Sequence, residues 1–146
     1  MAEIMGHDTT DKQVFEDLVQ FAKAIGMVAL PVYKEQPGLI LNSMLLPYCV
    51  SALELWINEV SNPHTIDKTW MKSFGSPKGP FAILDIIGIT TVYNVAKLNV
   101  DTNPNMAPLL EKLDAEFIRP GHLGMFSGKG FYNYPNPAYE SATFLK

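Results

Sequence analysis

Residues 2–34 read as strand, helix and strand, and almost nothing after them reads as strand. "AEIMG", residues 2–6, is short and apolar and ends in glycine, as a buried strand does. Thr10 is placed as the N-cap of a helix, with Gln13 three residues on completing a capping box. Val14, Leu18, Phe21, Ala22 and Ile25 follow at helical spacing, and Gly26 stands where a helix is stopped by a left-handed residue. "MVALPVYK", residues 27–34, is rich in β-branched and aromatic side chains, with a proline that suits an edge or a strand end. A βαβ unit demands a parallel or mixed sheet. Two strands cannot make a stable sheet alone. Residues 1–35 are therefore expected to be the end of a larger sheet domain whose other strands are not in this sequence.

From Pro37-Gly38 onward the pattern is helical, so the expected fold is mainly α, with residues 36–146 forming one helical domain. The first helix carries Ile40, Met44, Tyr48, Ala52 and Leu55 about four residues apart, with Pro47 inside it. Leu45, Leu46, Cys49, Leu53 and Trp56 make it apolar around most of its circumference. Asn62 is read as the cap of a second helix, with Pro63 at its first position, a stripe of Ile66, Trp70 and Phe74, and Gly75 as its stop. A third helix starts near Gly79-Pro80, carries Phe81, Leu84, Ile87, Val92, Val95 and Leu98, and bends at Gly88. A fourth, near 105–118, carries Leu109, Leu110, Leu113, Phe117 and Ile118. The tail "GHLGMFSGKGFYNYPNPAYESATFLK" is too aromatic to hang free and is expected to pack back on the helices.

Composition narrows the function. With 146 residues, 47% hydrophobic and 18% charged, the chain has a globular balance. Nothing in its net charge of −4 and its scattered basic residues suggests a nucleic-acid groove or an attraction to anionic membranes. No apolar run approaches the roughly 18 residues that span a bilayer, and the opening residues lack the basic and apolar parts of a signal peptide. The single cysteine, Cys49, has apolar neighbours and is expected to be a buried thiol, which favours a reducing, cytoplasmic setting. No spacing of His, Cys or carboxylates suits a metal. Gly128 and Gly130 form a G-x-G, but Asn133 stands where a dinucleotide fingerprint needs its third glycine.

Four blocks, "AEIMGH", "EQPGLILNSMLLPY", "TIDKTWMKSFGSPKGPFAILDIIG" and "GHLGMFSGKGFYNYPNP", resemble in order and spacing the 3-hydroxyacyl-CoA dehydrogenases. The resemblance covers essentially the whole chain, and "GSPKGPFAILDIIG" and "SGKGFYNY" are its most specific parts. It implies a helical C-terminal dehydrogenase domain of the 6-phosphogluconate dehydrogenase type, preceded by the last strand-helix-strand of a Rossmann domain. It also implies NAD as cofactor, bound by a missing N-terminal domain and not by this chain. The partners it implies are a homodimer through the helical domain and an acyl-CoA or small keto or hydroxy acid as substrate, with neither nucleic acid nor membrane.

The same resemblance assigns two residues. Glu3 matches the glutamate that pairs with the family's catalytic histidine, which would precede Met1 together with a substrate-contacting serine. Such a carboxylate orients the imidazole and stabilises its charged form. Asn42 matches the asparagine near the reacting carbon and the keto oxygen, where an amide donates to developing negative charge. By sequence alone, Asn42 is equally at home in the first turn of a helix, and Glu3 reads first as a solvated acid near a chain terminus. Ser43 departs from the arginine many members have there. With "GHDTTD" it leans toward the lambda-crystallin-like and diketoreductase-like branch. His7 lies four residues beyond Glu3, but a strand and turn need not bring them together. His64 and His122 are expected to be exposed. Asp85, in the apolar "FAILDIIG", needs a hydrogen-bond partner if buried and reads as structural. Two rivals stand beside the dehydrogenase reading: a stand-alone helical dimerisation module without catalysis, and half of a split enzyme.

Overall fold

The computed structural model describes residues 1–101 and 103–146. Its elements are β1 (Ala2–Met5), α1 (Lys12–Ala24), β2 (Ala29–Val32), α2 (Leu39–Ile57), α3 (Pro63–Phe74), α4 (Pro80–Ile87), α5 (Ile89–Leu98) and α6 (Met106–Leu113). A π-helical turn, Asp114–Ile118, continues α6. The fold is mainly α, as expected. It forms two compact units, Met1–Pro47 and Tyr48–Lys146. The division falls inside α2 rather than at residues 35 and 36, because the first turns of α2 are tied by hydrogen bonds to β1.

In the first unit β1 and β2 pair in parallel, with Glu3 opposite Leu30, and α1 is the crossover between them. Thr10 is not the N-cap of α1. Asp11 is, its carboxylate accepting from Gln13 N at 2.7 Å, while Thr10 Oγ1 accepts from His7 N at 2.9 Å. An aspartate at the cap also brings its charge to the positive end of the helix dipole. Gly26, at φ 80°, ends α1: its N–H reaches Lys23 O and the next N–H reaches Ala22 O. Val19, Ala22 and Val32 are buried, whereas Val14, Leu18, Phe21 and Ile25 of the expected stripe are half exposed or partly exposed.

The second unit has a closed core. Phe81, Ile89, Leu109 and Leu113 are fully buried. The ring of Trp56 meets Phe81, Phe117 and Phe131 edge-on at 5.3–6.2 Å between centroids, the geometry aromatic pairs prefer. The tail packs back as expected: Tyr132 and Tyr139 are buried. Asn62 caps α3, accepting from Thr65 N at 2.9 Å, with Pro63 at the first position and Gly75 left-handed at the end.

Several faces differ from the expected ones. The buried row of α3 is Asp67 and Met71, and Phe74 of the predicted stripe is 69% exposed, because α3 turns a carboxylate inward to cap α4. The buried residues of α2 are Cys49, Ala52, Leu53 and Trp56, while Ile40, Met44 and Leu55 are exposed. The expected third helix is two, α4 and α5, bent by 96° at Gly88 with φ 93°. Contrary to expectation, α2 is long and apolar enough to cross a bilayer by length and composition alone, and 22% of its most apolar window is buried. Near its end Glu54 accepts from Asn103 and Asn105 side-chain amides at 3.2 and 3.1 Å.

Candidate functional site

A helix begins with four backbone N–H groups that have no partner within it. The start of α2 accounts for each. Leu39 N donates to Gln36 O at 2.9 Å, and Asn42 N to Gly38 O at 3.2 Å. Ile40 N and Leu41 N both donate to Glu3 Oε1, at 2.8 and 3.0 Å. No local Ser, Thr or Asp caps this helix; position 38 is a glycine at φ 83°, and Leu39 follows in the left-handed region at φ 56°. Glu3, far away in sequence, supplies the acceptor that the sequence beside the helix lacks. Its second oxygen, Oε2, has no partner among the described residues.

Asn42 lies in that first turn. Its side chain is exposed and makes no hydrogen bond among the described residues, so both its donors and its acceptor are free. The structure therefore brings Glu3 and Asn42 to the same turn: the carboxylate holds Leu41 N, and Asn42 is the next residue. Ser43 turns inward. Its hydroxyl donates to Leu39 O and accepts from Gln36 Nε2 at 3.2 Å, knitting the "EQPGLILNS" turn to itself.

His7 does not reach Glu3 in any recorded contact. It pairs instead with Glu35, Nδ1 to Oε2 at 2.9 Å, and this hydrogen bond raises the imidazole pKa above its ordinary value. Both side chains are mostly exposed, so the pair is worth little. His64 is exposed but not idle: its ring stacks on Tyr132 at 4.4 Å and its Nε2 lies 3.1 Å from Phe131 O.

The second unit contains two buried carboxylates. Asp85 is the structural acid expected: it accepts from Phe131 N and Tyr132 N at 2.9 Å each and from Tyr134 Oη at 3.0 Å. Asp67 was not anticipated. It accepts from Phe81 N at 2.7 Å, Ala82 N at 2.9 Å and Tyr132 Oη at 2.9 Å, and so caps α4 from α3. The signal was present: "GSPKGP" starts a helix with no capping side chain of its own, so a distant acceptor had to exist. Burial raises the pKa of both acids, opposed by their hydrogen bonds. Two glycines make room. A Cβ on Gly79 would lie 2.4 Å from Asp67 Cα, and one on Gly130 would lie 2.0 Å from Asp85 Oδ1. Gly130 of the tail's G-x-G is thus packed on a carboxylate, while Gly128 faces open space at φ 81°. Burial also pushes the Cys49 thiol up to about 11, which disfavours the thiolate that a nucleophile needs. Among the described residues no group of three or more His, Cys, Asp or Glu could hold a metal.

An apolar cavity of about 320 Å³ is lined by Tyr48, Leu55, Ile66, Trp70 and Phe74 with a hydroxyl-bearing rim, and no charged side chain lines it. The Tyr48 hydroxyl is itself buried and without a partner among the described residues.

Residues 38–134 match the family model described as "3-hydroxyacyl-CoA dehydrogenase, C-terminal domain". The chain is 34% identical over 143 residues to the human mitochondrial hydroxyacyl-coenzyme A dehydrogenase, covering 92% of this chain and 43% of that protein. It is 32% identical over 139 residues to a probable 3-hydroxyacyl-CoA dehydrogenase of Caenorhabditis elegans, covering 92% and 45%. Among solved structures, one titled for the dual catalysis of dicarbonyl compounds by diketoreductase is 43% identical with a TM-score of 0.87, covering 92% and 46%. The (S)-3-hydroxybutyryl-CoA dehydrogenase of Ralstonia eutropha is 26% identical with a TM-score of 0.73, covering 92% and 47%. The chain spans 43–47% of the length of the curated relatives compared.

Proposed function

This chain belongs to the 3-hydroxyacyl-CoA dehydrogenase family, and on that premise we propose that it is the substrate-completing, dimer-forming part of an NAD-dependent oxidoreductase. The reaction would interconvert a 3-hydroxy and a 3-keto compound. The observation that carries the reading is the turn at the start of α2, where a free amide, Asn42, and a carboxylate with one open oxygen, Glu3, sit together. The Asn42 amide would donate to the substrate oxygen as it gains negative charge, without changing its own protonation. Glu3 Oε2 would accept the N–H of the family's imidazole and hold that ring in one tautomer. Bound NAD would supply the hydride chemistry. Its binding is assigned in this reading to the nucleotide-binding half of such enzymes: the G-x-G of this chain lacks the third glycine of a dinucleotide fingerprint, and its Gly130 packs against Asp85. A small dicarbonyl or keto acid substrate is favoured over an acyl-CoA by two observations. Ser43 spends its hydroxyl on the local turn, and the more similar of the two structures compared is titled a diketoreductase. The exposed apolar side chains of α2, Ile40, Met44, Leu46 and Leu55 among them, support a second copy of this chain as the partner.

The test joins this chain to the nucleotide-binding half of the 43%-identical diketoreductase. NADH-dependent reduction of ethyl acetoacetate and of acetoacetyl-CoA is then compared. The fusion is expected to turn over the ester and the unfused chain to turn over neither. Asn42→Ala should lower kcat by about a hundredfold, the scale of one lost oxyanion donor, and Glu3→Gln should also lower it. A folded, dimeric fusion inactive on both compounds would leave the stand-alone dimerisation module as the reading.

A further inference from the structure

The start of α2 shows Glu3 occupied in a way that pairing with a histidine does not require. One oxygen takes both of the N–H groups that nothing else at this helix start accepts, while the other is free. The backbone it holds is not relaxed by itself. Gly38 and Leu39 are both left-handed, and Leu39 carries a side chain that disfavours this region. Such a conformation persists when its surroundings fix it. Here Glu3 on β1 holds the two N–H groups that follow, and Ser43 and Gln36 close the other side. Asn42 comes next in the chain: its own N–H donates to Gly38 O at 3.2 Å, and the turn that carries it is held at the two preceding N–H groups by Glu3.

We infer that Glu3 is a positioning residue for Asn42: its Oε1 fixes the first turn of α2, and so sets the spacing between the Asn42 amide and its own free Oε2. This deepens the function proposed above and rests on it for its catalytic meaning. The two oxygens divide the work. One sets the scaffold, and the other is left for a proton donor. A carboxylate is required for both together. Gln can still accept at the helix through its carbonyl oxygen, but its other group is an NH2, which cannot accept from an imidazole N–H.

The experiment separates the two duties on the 146-residue chain itself. Backbone amide exchange is measured for wild type, Glu3→Gln and Glu3→Ala. Glu3→Ala should speed exchange at Ile40 and Leu41 at least tenfold and leave the amides of α4, α5 and α6 unchanged. Glu3→Gln should stay within about threefold of wild type. In the wild-type chain the amide proton shifts of Ile40 and Leu41 should move together as the Glu3 carboxylate is protonated, a response that a space-filling role would not give. This second measurement decides the matter if Glu3→Ala fails to fold. Unchanged exchange in Glu3→Ala, or amide shifts that ignore the titration, overturns the inference. The fusion enzyme then isolates the other duty: lost turnover in Glu3→Gln with near-normal exchange assigns that loss to the open oxygen. Failure of the positioning role and failure of the catalytic reading are thus told apart.

Discussion

The two compact units hold themselves together by different means. In Met1–Pro47 the buried apolar side chains among the described residues are Val19, Ala22 and Val32. Neither strand is fully covered, and Phe21, Val28 and Tyr33 are 60%, 66% and 87% exposed. Tyr48–Lys146 closes a core of aliphatic and aromatic side chains over two buried carboxylates that accept six hydrogen bonds. A βαβ unit with two strands has apolar surface and no third strand to cover it. A helical unit can cover its own. The comparison places the stability in the second unit. The first contributes the carboxylate that holds the start of α2, and so the geometry at Asn42.

The sharpest way to break that comparison is Asp85→Ala. It strands two backbone N–H groups and the Tyr134 hydroxyl, each costing about 1–3 kcal/mol if left unpaired. The expected loss is several kcal/mol. Urea unfolding followed by the fluorescence of Trp56 and Trp70, the only tryptophans and both in that unit, reads it directly. A loss below about 1 kcal/mol would mean that the tail is not held by this acid.

Next comes a matched pair of truncations. Leu109 is 1% exposed, and Leu109→Ala should cost about 2–5 kcal/mol. Leu18 is 50% exposed in the first unit, and Leu18→Ala should stay within about 0.5 kcal/mol. Equal effects would show that α1 is sheltered in solution by something that covers its apolar face, a second copy included.

The smallest effect is on pH. Burial raises Asp67 and Asp85 above the ordinary 3.8. The folded chain therefore binds protons that the unfolded chain releases, in the window from the raised values down to 3.8. Stability bound to these two acids rises as the pH falls through that window. Wild type should gain on Asp85→Asn as the medium is acidified from pH 7 toward pH 4, since only wild type keeps that titration. A difference that shrinks on acidification would mean that the three hydrogen bonds outweigh burial and hold Asp85 as an anion.

Much of this was legible in the residues. The strand-helix-strand order, the helix start after Pro37-Gly38, the Asn62-Pro63 cap, the break at Gly88 and the inward tail all follow from local chemistry: turn residues, caps and periodicity. The buried faces of α2 and α3 were less legible. Apolar residues at several rotations satisfy the same spacing, and an aspartate was needed inside. The cap of α1 went to Asp11 rather than the expected Thr10, one residue away.

The sequence by itself determined the class of fold and the family, and the family resemblance pointed to Glu3 and Asn42 as the residues to watch. Those rest on patterns carried along the chain. Only the tertiary structure decided that Glu3 holds the two N–H groups just before Asn42, that Asp67 caps α4, and that Gly130 exists to admit Asp85. The reason is physical. A helix whose first turn lacks a local acceptor must find one elsewhere, and sequence shows the need without showing the donor's distant partner.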